Sequence, residues 1–225
     1  IEAHVISNEL SGEALQCPAI VLIVSGGHTA LYRVEQVGRY ELIGNTRDDA
    51  AGEAFDKIAK LLGLGFPGGP IVQRVAEKGD AKMVSFPRAM LDKGGFDFSF
   101  SGLKTAVRQY VEAKAPISEQ QVADIAASAQ AAIVDVLVER TVTCARANGV
   151  SHVCMAGGVA ATGPLRASLR AACEAAGIHY HAPLIEYCTD NGAMVARTAE
   201  HLLAAGRNDG LDLDVFTRGP IRSWA

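Results

Sequence analysis

An apolar run, Val21-Leu22-Ile23-Val24, enters Ser25-Gly26-Gly27-His28 and leaves as Thr29-Ala30-Leu31-Tyr32, and this pattern constrains the chain more than any other stretch. β-Forming residues on both sides of a paired glycine predict two antiparallel strands joined by a tight turn. Without a Cβ at Gly26 or Gly27, a ligand can approach the backbone closely, and consecutive N–H groups in such a turn form an anion-binding concavity. Hairpin chemistry alone accounts for one such pair. The chain carries three more, Gly68-Gly69, Gly94-Gly95 and Gly157-Gly158.

With 49% hydrophobic and 20% charged residues among 225, the chain can bury a substantial core, enough for one large domain or one and a half smaller ones. Its apolar runs are too short to span a bilayer and its first residues lack the basic, apolar, small-residue order of a signal peptide. A protein of the cytoplasm with no membrane attachment is expected. A net charge of −4 argues against wrapping nucleic acid by charge alone. Arg33, Arg39, Arg47, Lys57, Lys60 and Lys104 form no run, and a solvated surface explains them. The cysteines, Cys17, Cys144, Cys154, Cys173 and Cys188, are odd in number and form no C-x-x-C pair, which reads as reduced thiols serving as small hydrophobes.

Taken in order, Ile1 to Leu15 reads as the continuation of a helix, ended by Gln16-Cys17-Pro18, because proline disfavours helix in the residue before it. The absence of an initiator methionine suggests a fragment. After the hairpin, Tyr40 to Thr46 reads as a third strand, with Asp48 or Asp49 as N-cap of a helix over Ala50 to Leu62. Asp56 sits near the edge of that helix's apolar face, where an i,i+4 pair with Lys60 is the plain reading. Gly63 to Pro70 is a shaped loop before a short helix, Ile71 to Lys78. Phenylalanines alternate with polar residues over Phe96 to Ser101 in β fashion, and the serines there are placed to cap a helix beginning at Gly102. Ser118 and Gln121 form a capping box ahead of the longest helix, Val122 to Ala147. The strand His152 to Ala156, the pair Gly157-Gly158 and a helix from Leu165 to Ala176 give the order a parallel α/β sheet uses to bind a ligand beyond a strand's end. A strand over Ile178 to Pro183, a helix over Ala193 to Leu203 and an irregular tail from Gly206 complete the chain.

Six strings are similar to the TsaD family, which transfers threonylcarbamoyl to an adenosine of tRNA. They are Val24-Ser25-Gly26-Gly27-His28-Thr29, Arg47 to Lys57, Phe66-Pro67-Gly68-Gly69-Pro70, Phe98 to Thr105, Ala156 to Ala161 and Thr189 to Met194. The resemblance implies an α/β fold of the actin, Hsp70 and sugar-kinase (ASKHA) type, with residues 17–185 as an essentially complete second lobe. Residues 1–16 and 186–225 would then belong with a first lobe that is mostly absent from this sequence.

The same resemblance implies a substrate pocket at Ile23, Val24, Ser25, Gly26, Gly27, Asp56 and Gly69 for threonylcarbamoyl-AMP, whose AMP leaves when the adenine amine of tRNA attacks. The acceptor would be the adenosine beside the anticodon in tRNAs reading codons that begin with A. It implies one divalent metal ion, Fe(II) or Zn(II), held by His4, by a histidine preceding Ile1 and by Asp190. Implied partners are a paralogous actin-like subunit and a P-loop ATPase subunit. No catalytic residue is assigned. Where the family has asparagine after Ala161, this chain has Thr162, which lacks the amide's paired donor and acceptor. Two other functions compete, a metallopeptidase and a non-catalytic scaffold subunit. The first is disfavoured because H-E-x-x-H requires glutamate next to the first histidine, a position Glu2 does not hold.

Overall fold

The computed structural model of the protein describes residues 1–91, 93–210 and 221–225. One five-stranded sheet organises it: β1 (Ala19–Val24), β2 (Thr29–Gln36), β3 (Arg39–Asn45), β4 (His152–Ala156) and β5 (His179–His181), in the order β3-β2-β1-β4-β5. β1 and β2 pair antiparallel, as do β2 and β3, whereas β4 lies parallel to β1 and β5 parallel to β4. The register brings two glycine turns side by side. Ile23 pairs with both Ala30 and Ala156, so β1 and β4 end level and their turns leave from one edge of the sheet.

β1 is buried on both faces, which is why it reads as an uninterrupted apolar run. Ile20, Leu22 and Val24 join the larger core, against α2 (Ala51–Leu61) and the long α5 (Glu119–Ala147). Ala19, Val21 and Ile23 point the other way, toward a smaller core with Val5, Val34, Tyr40 and Cys154. Each fully buried aliphatic side chain of this kind contributes about 1.5–3 kcal/mol relative to exposure. α5 is long and apolar enough to cross a membrane by length and composition, yet most of that window is buried inside the protein. It packs on α3 (Gly68–Ala76) and α6 (Gly163–Ala175). The Ser118–Gln121 capping box is formed at its start.

The second core is closed by the two ends of the chain. α1 (Glu2–Ile6) packs against α7 (Gly192–Ala204), Glu9 bonds Arg197 and His201 of α7, and the Trp224 indole N–H donates to Glu2 at 2.6 Å. Part of the C-terminal tail expected to be irregular, 211–220, lies outside the described residues.

Three local expectations are corrected. The helix expected over Ile1 to Leu15 ends at Ile6 and passes into a 3-10 turn, Ser7–Ser11. Ser7 Oγ and Asn8 Nδ2 there bond back to the carbonyls of His4 and Val5, and Gly12 at φ +92° reverses the chain. Neither Asp48 nor Asp49 caps α2, whose first N–H, on Ala51, donates to Thr29 Oγ1 of β2 at 2.8 Å. Asp48 instead caps α4 (Ser101–Lys114), accepting the N–H groups of Phe100 and Ser101 at 2.8 and 3.2 Å, the role expected of the serines. Asp49 pairs with Lys57. The third concerns the Phe96–Ser101 stretch, which makes a single parallel bridge, Phe98 to Thr46, and forms no strand.

Candidate functional site

At the sheet edge where β1 and β4 end, Gly26, Gly52, Asp56, Gly69, Gly158 and Thr162 face one cleft of about 410 Å³. That volume is within the range of small-ligand sites. Phe66, Pro70, Gln73 and Val159 also line it, and part of its wall is backbone brought together by missing side chains. A Cβ on Gly157 would lie 2.4 Å from the Val24 carbonyl oxygen, and one on Gly52 would lie 2.6 Å from that of Ser25. Gly52 N–H also donates to Ser25 O at 3.1 Å, so the hairpin loop is fastened to the start of α2. A Cβ on Gly68 would lie 2.5 Å from Asp56 Cα, which seats α3 on α2.

Gly26, Asp56 and Gly69 therefore share the cleft with Gly158. Asp56 does not pair with Lys60: its Oδ1 accepts the Gly68 N–H at 2.7 Å across the loop. Ile23 and Val24 contribute no side chain to the cleft, both being fully buried on opposite faces of β1. Their part is to deliver the turn. Ser25 shapes that turn, its N–H donating to His28 O at 2.8 Å and its Oγ accepting the His28 N–H at 3.1 Å. Gly27 has open space where a Cβ would sit. The Gly94-Gly95 pair belongs elsewhere, in a loop whose carbonyls at Lys93 and Gly95 accept from the buried Arg140 guanidinium.

His4 and Asp190, 186 positions apart in sequence, meet: His4 Nε2 lies 3.0 Å from Asp190 Oδ1. Two donors about 2.0–2.2 Å from one tetrahedral ion are roughly 3.3 Å apart, so this spacing suits co-ligands. The imidazole is 8% exposed and its Nδ1 has no partner. Burial lowers its pKa, outweighing the opposing pull of Asp190, and so favours the neutral ring that a metal ligand requires. Among the described residues no third His, Cys, Asp or Glu joins them. The pair supplies two donors of the chemistry a borderline divalent ion accepts. It also adjoins the cleft, since Thr189 Cγ2 is 3.6 Å from where a Cβ on Gly158 would stand.

The sequence reading missed Gly52 and Gln73 as lining residues. Gly52 had a signal, a glycine in the first turn of an otherwise regular helix. Gln73 lies one turn beyond Gly69 on α3, which begins at Gly68 and not at the expected Ile71, and lines the cleft with no pattern to mark it. The thiols behave as expected of small hydrophobes. All are free, and burial pushes Cys144 and Cys154 up to about 12 and Cys17 and Cys173 up to about 11.

A sequence profile of the family described as TsaD, tRNA N6-adenosine threonylcarbamoyltransferase, matches residues 1–197. The chain is 51% identical over 228 positions to a tRNA N6-adenosine threonylcarbamoyltransferase of Paracidovorax citrulli, covering 100% of this chain and 66% of the relative. Identity is also 51% over 214 positions to one from Symbiobacterium thermophilum, covering 95% and 62%. The chain thus spans slightly less than two thirds of the length of these relatives. Among solved structures, full-length HypF in its phosphate- and nucleotide-bound form superposes with a TM-score of 0.66 at 11% identity, over 90% of this chain and 42% of that one. The activator of the 2-hydroxyisocaproyl-CoA dehydratase from Clostridium difficile with bound ADPNP gives a TM-score of 0.53 at 12% identity, over 94% and 71%. At such identities the likeness is one of fold, a mixed α/β sheet of the ASKHA kind.

Proposed function

Because the chain belongs to the TsaD family, we propose that it forms the donor-binding part of a tRNA N6-adenosine threonylcarbamoyltransferase. Residues 17–185 correspond to the second lobe of an actin-like fold, and the described parts of the two terminal segments, which the resemblance gives to the first lobe, pack here on the second face of the same sheet. The observation that carries this reading is that the two glycine turns, Asp56 and Gly69 share one cleft, beside the His4–Asp190 pair.

In this reading the phosphate of threonylcarbamoyl-AMP rests against the backbone at Gly26 and Gly27, where no Cβ obstructs it. Asp56, with one oxygen taken by the Gly68 N–H, uses the other to accept a ribose hydroxyl. The acyl end then reaches toward His4 and Asp190. The adenine amine of tRNA attacks the carbamoyl carbon, an N–C bond forms, and the C–O bond of the mixed anhydride breaks with its electron pair leaving on AMP. The amine's proton passes to solvent or to a base that no residue here is assigned to be. Holding the leaving group and the acceptor in one geometry is the main contribution of such a site. His4 and Asp190 would hold a divalent ion, which when bound supplies Lewis acidity at the acyl carbonyl. The acceptor is the adenosine beside the anticodon in tRNAs reading codons that begin with A. A paralogous actin-like subunit and a P-loop ATPase subunit are the companions, in the cytoplasm. A peptidase reading gains nothing from the geometry, because the Glu2 carboxylate is engaged by the Trp224 indole.

Calorimetric titration of the chain with threonylcarbamoyl-AMP tests the proposal. Binding is expected, with affinity falling about tenfold or more in Asp56→Asn as one charge-assisted hydrogen bond is lost. In a chain extended to the length of the relatives, Asp190→Ala should abolish formation of the modified nucleoside on tRNA. An Asp56→Asn variant binding as tightly as the unmodified chain would refute the assignment of the cleft.

A further inference from the structure

Arg166, in the first turn of α6, makes three contacts that converge from two separate stretches of chain. Its Nε donates to Ala160 O at 2.7 Å, on the turn that carries Gly158, and its Nη2 donates to Pro183 O at 2.6 Å and to Cys188 Sγ at 3.0 Å. Cys188 is fully buried and lies two residues before Asp190. The root of the guanidinium is fixed, because Leu165 and Leu169 on either side of it along α6 are buried in the larger core. Apart from the His4 contact at Asp190 itself, the other hydrogen bonds around Asp190 are local to its own segment, such as those from Asn191 Nδ2 to Thr189 O at 2.8 Å and from Tyr187 N to Leu184 O at 2.9 Å. Local bonds shape a segment without placing it against another. Arg166 supplies the placement against the Gly158 turn, while His4 ties Asp190 to α1.

We propose that Arg166 is a positioning residue that holds the Asp190 segment against the Gly157-Gly158 turn. It thereby sets the distance between the nucleotide end and the acyl end of the site, and this rests on the reading given above. A guanidinium suits the task because its donors are fixed in one plane and can serve two chain segments at once. A lysine ammonium is a point charge on a flexible stem and cannot hold that fork.

The test compares the unmodified chain with Arg166→Lys and Arg166→Gln, by amide hydrogen exchange and by titration with AMP and with threonylcarbamoyl-AMP. Exchange should quicken about tenfold in both variants over 158–161 and 184–191, while the amides of β1 and α5 keep their rates. The preference for threonylcarbamoyl-AMP over AMP should fall about tenfold in the variants, with AMP affinity changed about twofold at most. Unchanged exchange in those two segments overturns the inference, as does a uniform rise across the chain or a parallel loss of both ligands. If the unmodified chain shows no preference between the two ligands, the proposed function is wrong, and the exchange rates still decide the role of Arg166.

Discussion

Gly157→Ala should be among the most damaging methyl additions this fold can receive, and the structure gives its size. Gly157 has φ +99° and ψ 164°, a region essentially closed to residues with a Cβ, where a substitution costs about 1–3 kcal/mol. The new methyl would also stand 2.4, 2.9 and 3.2 Å from the O, C and N atoms of Val24. All three are backbone atoms of a fully buried strand, so no flexible side chain can yield. Separating β4 from β1 to admit the methyl adds about 1–3 kcal/mol of overpacking. Roughly 2–6 kcal/mol in total is a large share of the about 5–15 kcal/mol that holds a domain folded. At about 2–4 °C per kcal/mol for a chain of this length, the melting temperature should drop by roughly 4–24 °C. Urea denaturation followed by circular dichroism measures it, with Gly69→Ala as the control. Gly69 has no positive φ and nothing within 4 Å of its Cβ position, and it lies in the first turn of α3. Its alanine variant should match the parent or gain up to about 1 kcal/mol, while losing affinity for the cleft ligand. If Gly157→Ala unfolds at the parent's midpoint, or Gly69→Ala falls as far, close backbone approach is not what builds the cleft.

Thr29→Val keeps the side-chain shape but leaves the buried Ala51 N–H without its acceptor, so it should lower stability by about 1–3 kcal/mol in the same urea assay; an unchanged midpoint would show that α2 needs no cap from β2. In metal-free buffer, stability should fall in two stages as pH decreases. The pKa of His4 is lowered by burial, so its contribution is complete above the ordinary histidine value of 6.5 and is lost as pH falls through the lower folded value. Burial acts to raise the pKa of Glu9, but hydrogen bonds from His201, the Leu15 N–H and Arg197 outweigh it and lower the pKa below 4.5. Its contribution is therefore present above pH 4.5 and lost on further acidification, alongside those of Asp48 and Asp97, so Glu9→Gln should shrink that second stage of the midpoint-versus-pH curve.

How much the sequence disclosed depends on the range of the interactions involved. The strands around Gly26, the capping box at Ser118 and Gln121, and the strand-turn-helix at Gly157 are set by residues a few positions apart, so local pattern sufficed. The misread caps have distant partners. Asp48 lies 52 positions before the Phe100 N–H it accepts, and Thr29 lies 22 before that of Ala51. A side chain near a helix start looks like its cap whichever helix it serves. Ile23 and Val24 show a related limit. A motif marks where the chain turns toward a ligand, but alternation along the strand decides which side chains arrive there, and here both are taken by the core. Arg166 left no local signal, because its importance lies in two carbonyls and a thiol that the fold alone brings to it.

The close glycine contacts also explain how the cleft can be rigid with so few polar side chains. Gly157 joins β4 to the end of β1, Gly52 joins α2 to the turn after β1, and Gly68 joins α3 to α2, each at a separation no Cβ would permit. These contacts form a chain through β4, β1, α2 and α3, so displacing one wall drags the others. A ligand seated against such walls would meet backbone whose position is fixed before it arrives, leaving little ordering entropy to oppose binding. Rim side chains then adjust contacts without building the seat. Thr162, at the position where the resemblance leads one to expect asparagine, lines the cleft but makes none of these joins. Its substitution is therefore expected to alter one polar contact with the ligand and leave the cleft's shape as it is. The Asp190 segment has no comparable glycine weld under 3 Å, its approach to Gly158 through Thr189 being an ordinary 3.6 Å contact. Its placement therefore depends on the Arg166 guanidinium and on the contact with His4.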